Sequence, residues 1–123
     1  MKKGFLFLLS LFFLSFTGWH YNLDDAKQTA KKEHKHILLN FSGSDWCGPC
    51  ILLRKNIFDD PVFLKMADTV LVLVEADFPR MKKNRLSEEQ QRLNDQAADR
   101  YNKNGRFPYG AKCRARTSRC RKN

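Results

Sequence analysis

The 123-residue sequence predicts an α/β fold built around a parallel pair of strands, and three observations carry that expectation. Two short aliphatic runs, HILLNFS at residues 36–42 and TVLVLVE at residues 69–75, have the length and the branched content of buried strands. Helical patterns with start signals lie before, between and after them, and right-handed crossovers then set the two strands side by side. Length permits a single domain: once the first 18 residues are set apart, roughly 105 remain, enough for one core without metal or disulfide staples.

The elements follow in order. Asp24 or Asp25 is placed to cap a first helix running to about His34, with Ala26 and Ala30 on one side. The first strand comes next, then WCGPC, then a helical pattern over residues 50–58 carrying Ile51, Leu52, Leu53 and Ile57. Asp60 before Pro61 is an N-cap followed by proline at the first helical position, opening the segment VFLKMAD. In the second strand Val70, Val72 and Val74 alternate with leucines, as in a strand covered on both faces. Phe78 and Pro79 fix a turn after it, and residues 81–85 are an exposed loop. Ser87 and Gln90 form a capping box for a long helix to about Asn102, with Leu86, Leu93, Ala97 and Tyr101 on one face and Asn104 and Gly105 at its end.

The two ends read differently from this body. Lys2 and Lys3 precede an apolar run over residues 4–16, broken only by Ser10 and Ser15 and followed by Thr17 and Gly18. That is the layout of a signal peptide, so residues 1–18 are expected to direct export and to be cleaved near Thr17 or Gly18. The run is short for a membrane-spanning helix, although an uncleaved anchor or a buried helix are the alternatives. Residues 109–123, YGAKCRARTSRCRKN, hold no acid and no Val, Ile, Leu, Phe or Met, and are expected to be a basic, disordered tail unable to supply a core strand. The +10 net charge belongs to these ends: residues 19–105 carry 14 bases against 13 acids. The charge is therefore no sign that the folded body binds nucleic acid.

Chemistry concentrates in Cys47, Gly48, Pro49 and Cys50, set between a buried strand and a helix. Unpaired N–H groups and the macrodipole at a helix start favour an anion, which makes the Cys47 thiolate the attacking nucleophile, expected to lie exposed. Cys50, one turn on and more buried, is placed to attack a mixed disulfide on Cys47 and release a reduced substrate. Pro49 suits a first helical turn, where its missing N–H has no partner in any case. A zinc site would need a second ligand pair with metal spacing, and Cys113 and Cys120 stand seven apart. A purely structural Cys47–Cys50 bridge would close a tiny loop of little entropic benefit. His34 and His36, beside Lys32 and Lys35, read as a solvated helix end.

Residues 46–50 reproduce the WCGPC active site of thioredoxins, and FSGSDWCGPC at 41–50 with ADFPR at 76–80 resembles the exported thioredoxin-like proteins of bacteria. The resemblance covers residues 19–108, which are expected to form a thioredoxin-like domain. It implies Cys47 as nucleophile, Cys50 as resolving cysteine, Trp46 as the aromatic flank of the loop, and Pro108 as the cis-proline that faces the pair and docks the substrate backbone. Three departures stand out. The buried acid that thioredoxins place before the motif is here Asn40, which cannot accept a proton, leaving water or Asp45 to serve Cys50. Ile51 replaces the usual lysine. The two antiparallel strands and final helix that follow the cis-proline are expected to be missing, leaving HILLNFS an unpaired edge. A shifted reading frame or truncated gene produces such a switch; a specialised tail is the other reading.

The expectation is thus an exported thiol–disulfide oxidoreductase, periplasmic or extracellular, that acts on protein disulfides through Cys47 and Cys50 without cofactor or metal. A thiol–disulfide electron donor or acceptor would recharge the pair. Nucleic acid is not an expected partner, and a membrane is one only through an uncleaved leader. The alternatives are a truncated copy with little activity and a basic-tailed binder of anions or nucleic acid.

Overall fold

The structure, a computed structural model, describes residues 18–115 and 119–122. The expected leader, apart from Gly18, lies outside the described residues. Among those described, no helix is long and apolar enough to cross a membrane.

Helix α1, Leu23–Glu33, is capped by Asn22, whose Oδ1 accepts from the backbone N–H groups of Asp24 (2.9 Å) and Asp25 (3.3 Å). The cap therefore sits ahead of the two aspartates expected to provide it, leaving both in the first turn where negative charge suits the helix dipole. Strand β1, His36–Ser42, has the expected limits. Helix α2, Gly48–Leu53, continues through a π-helical turn, Arg54–Phe58. Asp60 caps α3, Pro61–Val70, through Val62 N and Phe63 N. Strand β2 is Leu71–Asp77, two residues later than expected at both ends. Ser87 caps α4, Glu88–Tyr101, by accepting from Gln90 N. The Gln90 amide instead donates to Tyr21 O and Asn94 Oδ1, so only half of the capping box forms.

Two further strands, β3 at Tyr109–Arg114 and β4 at Cys120–Lys122, overturn the expectation that the sequence after Pro108 supplies no core strand. The sheet runs β2-β1-β3-β4, with β1 parallel to β2 and antiparallel to β3. Strand β1 is thus interior, not an unpaired edge, and the strand pair after the proline is present. No helix follows α4 among the described residues. The physical reason is period: Ala111 and Cys113, both 2% exposed, alternate inward while Gly110, Lys112 and Arg114 face out. Small side chains suffice there because the opposite positions are Leu39 and Ile37. Cys113 stands directly across from Cys120, and the two form a disulfide that ties β4 to β3.

The inward face of the sheet carries Ile37, Leu39, Phe41, Val72, Val74 and Ala76, packed with Ala26 and Ala30 of α1 and Ala97 of α4. The alternate residues Leu38, Asn40, Leu73 and Glu75 point to the other face. The outer side of β2 receives His20, whose N–H donates to Leu73 O (2.8 Å) and whose carbonyl accepts from Glu75 N (2.9 Å).

Candidate active site

The parallel β1–β2 pair ends at Ser42 and Asp77, and the chain leaves β1 into the loop that becomes α2. Cys47 is the N-cap of α2: its backbone is extended, and its Sγ accepts from the Cys50 backbone N–H at 3.3 Å. Cys47 and Cys50 form a disulfide with Cα atoms 5.2 Å apart. Gly48 and Pro49 are the exposed tip of the loop, with Pro49 in the first helical turn. In this oxidised form Cys47 is 5% exposed and Cys50 4%, so the two are almost equally buried here. The sulfurs cover one another when bonded, and what distinguishes the two residues is the capping position.

Trp46 is held from several sides. Its Nε1 donates to Phe78 O (2.7 Å), the Arg80 guanidinium lies 3.7 Å above its ring, and Phe107 meets it edge-on at 5.3 Å. Beneath it Gly43 leaves no space, since a Cβ there would overlap the indole. Asp77 accepts from the Ser44 backbone N–H (2.9 Å) and from its hydroxyl. The segment ADFPR is therefore the bracket of the cysteine loop.

The Phe107–Pro108 bond is cis, and Phe107 packs between Trp46 and Phe78 (ring centroids 5.3 and 5.6 Å), which brings the residues around Pro108 to the cysteine loop. A residue not singled out in the sequence sets this approach. Buried Asn102 accepts from Arg106 N (3.0 Å) and donates to Arg106 O (2.9 Å), closing a turn that needs the positive φ of Gly105. Its only signal was an amide beside Asn-Gly at a helix end.

Asp45, the acid expected to stand in for Asn40, is engaged elsewhere. Its carboxylate accepts from Arg80 N (2.9 Å), Met81 N (2.9 Å) and Asn84 Nδ2 (3.0 Å), tying the loop before Trp46 to the short 3₁₀ turn Lys82–Asn84. These donors hold its carboxyl below the ordinary carboxylate value, the Arg80 N–H foremost. A depressed folded pKa gives stability that is complete above the unfolded value and lost as pH falls through the folded one. The clamp should therefore survive moderate acid and open below the usual carboxylate range, with the Arg80 and Met81 amide resonances shifting together. An early shift, at the pH where a free aspartate titrates, would contradict the clamp.

Among the described residues no group of three or more His, Cys, Asp or Glu side chains is placed to hold a metal ion.

A family model described as thioredoxin-like matches residues 18–108. Over 84 residues the chain is 39% identical to the disulfide bond reductase DsbH of Chlamydia pneumoniae, covering 68% of this chain and 49% of that protein. Over 60 residues it is 38% identical to the thioredoxin-related protein DsbJ of the same organism, covering 49% of this chain and 17% of that one. The chain thus spans half or less of the length of these curated relatives. A solved structure of a DsbH oxidoreductase superposes with a TM-score of 0.74 at 34% identity, covering 84% of this chain and 68% of that one. A disulphide isomerase from Xylella fastidiosa Temecula1, at 17% identity and a TM-score of 0.59 over 80% of this chain and 67% of that one, shares the fold.

Proposed function

The chain belongs to the thioredoxin-like family, and we propose from that premise that it is an exported thiol–disulfide oxidoreductase that reduces or exchanges disulfides in other proteins. The single observation that carries this reading is the Cys47–Cys50 disulfide at the start of α2, beside the aromatic bracket and the Phe107–Pro108 segment. Relatives named as a disulfide reductase and an oxidoreductase support it. The leader-like layout of residues 1–18 supports export, as does a second disulfide that the Cys47–Cys50 chemistry does not use.

In the reduced protein Cys47 is the nucleophile. As N-cap its sulfur faces the helix's unpaired N–H groups, which favour thiolate over thiol. The thiolate attacks one sulfur of a substrate disulfide; the other sulfur leaves with the bond's electron pair and takes a proton. Cys50 then attacks Cys47 Sγ, the Cys47–substrate bond breaks, and the substrate departs with two thiols while the pair is oxidised. A thiol–disulfide donor returns the two electrons. Trp46 and Phe107 offer the apolar flank of the docking surface, and Pro108 lies against the extended substrate backbone.

Iodoacetamide at pH 6.5 tests the role of the cap. Cys47 of the reduced protein should be labelled well before Cys50, and equal labelling would remove the helix-start argument, because equal burial gives no other ground for a difference.

A further inference from the structure

We propose that Glu75 is the proton acceptor for Cys50 when the mixed disulfide is resolved, acting within a cleft that both residues line. The proposal rests on the oxidoreductase reading above and names a residue for its second step.

Cys50 resolves only as a thiolate, so its thiol must first lose a proton. Behind α2 lies a cleft of about 450 Å³ whose walls include Cys50, Glu75, Arg54, Asp59, Asp77 and Gln90. Asn40, directly opposite Glu75 in the β1–β2 register, has no basic oxygen to offer. Three carboxylates reach the cleft, and two are otherwise engaged or placed. Asp59 is exposed and paired with Arg54 Nε at 3.0 Å. Asp77 is bonded by Ser44 N, Ser44 Oγ and Phe78 N. Glu75 is buried, and only its Oε2 is held, by Arg54 Nη1 at 2.7 Å; among the described residues nothing donates to Oε1.

Its surroundings suit the task. Burial pushes the Glu75 carboxyl above the ordinary carboxylate value, Arg54 pulls it partly back, and Asp77 and Asp59 push it up again. Lys55 also lines the cleft from the π-helical turn, Tyr21 from the N-terminal segment, and α4 contributes only the neutral Gln90 and Asn94. A carboxylate raised toward neutrality is a better proton acceptor at physiological pH than an ordinary one.

The step balances within the protein and its substrate. The Cys50 thiol proton passes to Glu75, directly or through water in the cleft, and the thiolate attacks Cys47 Sγ. The Cys47–Cys50 bond forms as the Cys47–substrate bond breaks, and the substrate sulfur leaves with the electron pair. It is protonated from Glu75 or solvent, which restores the carboxylate.

Stopped-flow reaction with dithiobis-nitrobenzoate of protein in which Cys47 and Cys50 are reduced and the Cys113–Cys120 disulfide is kept reads the two steps separately. The first thionitrobenzoate leaves when Cys47 attacks; the second leaves when Cys50 displaces it. In the unaltered protein the second release should lose rate in acid with a midpoint above the usual carboxylate range and below that of a free thiol. Glu75→Gln should slow the second release about a hundredfold at neutral pH and leave the first within about twofold. Arg54→Gln keeps the carboxylate but removes the neighbour that lowers its pKa, so the acid limb should move to higher pH. A second release that follows only thiol titration in the unaltered protein, or that Glu75→Gln leaves unchanged, overturns the proposal, as does an acid limb indifferent to Arg54→Gln. Absence of the first release in the unaltered protein would instead sink the oxidoreductase reading itself.

Discussion

Cys47→Ser is expected to reduce insulin no faster than buffer with dithiothreitol alone, while Cys50→Ser is expected to stall with one substrate chain held on Cys47. The asymmetry follows from connectivity. Without Cys47 no bond to substrate forms, because the remaining thiol lies one turn inside the helix, away from the capping position that favours a thiolate. A serine hydroxyl at the cap is far too basic to ionise near neutral pH, so the helix start has no nucleophile left to favour. Without Cys50 the first attack proceeds but nothing displaces the mixed disulfide from within the protein. Mass spectrometry of Cys50→Ser mixed with an oxidised substrate should find a single adduct on Cys47, reversed by added thiol. Retained turnover in Cys47→Ser would refute the assignment, and adducts distributed over Cys113 or Cys120 would point to chemistry at the second disulfide.

The sequence made some of this legible and concealed the rest for identifiable reasons. Strand β1 is readable because Lys35 and Gly43 bound a short segment centred on Ile37, Leu38, Leu39 and Phe41. The limits of β2 slip because Thr69 and Val70, good strand residues, finish α3 instead: Thr69 Oγ1 donates back to Met66 O at 2.7 Å, and the strand is extended to Asp77 by its pairing with Ser42. WCGPC announces the cysteine pair, but not that the two residues are almost equally buried once bonded. The bracket formed by Asp45, Asp77 and Arg80 joins residues more than thirty positions apart, which no local pattern reveals. Glu75 is invisible for a related reason. In sequence it is one acid at the end of an aliphatic strand, and its burial and its shared cleft with Cys50 arise only when β2 lies beside β1. The strand after Pro108 was hidden by composition. Alternation was present in Ala111 and Cys113, yet residues that small signal a strand only when their partners Leu39 and Ile37 supply the bulk.

Ending the chain after Pro108 is accordingly expected to abolish cooperative folding. Strand β3 pairs with β1 over six positions, from His36 opposite Arg114 to Phe41 opposite Tyr109, and it covers Ile37, Leu39 and Phe41, each fully buried. Removing it strips one side of β1 of its hydrogen-bond partners, takes Ala111 and Cys113 from beside Leu39 and Ile37, and takes Tyr109 from Phe41, whose ring lies 6.1 Å away. Cross-strand pairs contribute roughly 0.2–1 kcal/mol each before burial is counted. Six of them therefore reach several kcal/mol, against a total stability of about 5–15 kcal/mol for a domain. The shortened chain should show no sharp thermal transition by circular dichroism and should associate through the freed edge of β1. A gentler change separates the strand from its staple. Cys113→Ala with Cys120→Ala keeps β3 but frees a loop of sequence separation 7. It should cost about 2–3 kcal/mol through the lost constraint on the unfolded chain. In a domain of this size that lowers the melting temperature by roughly 10–20 °C while preserving a single transition. If the shortened chain melted as sharply and as high as the whole protein, β3 would have no part in the core, and the sheet order β2-β1-β3-β4 would not be the one that holds the cysteine loop in place.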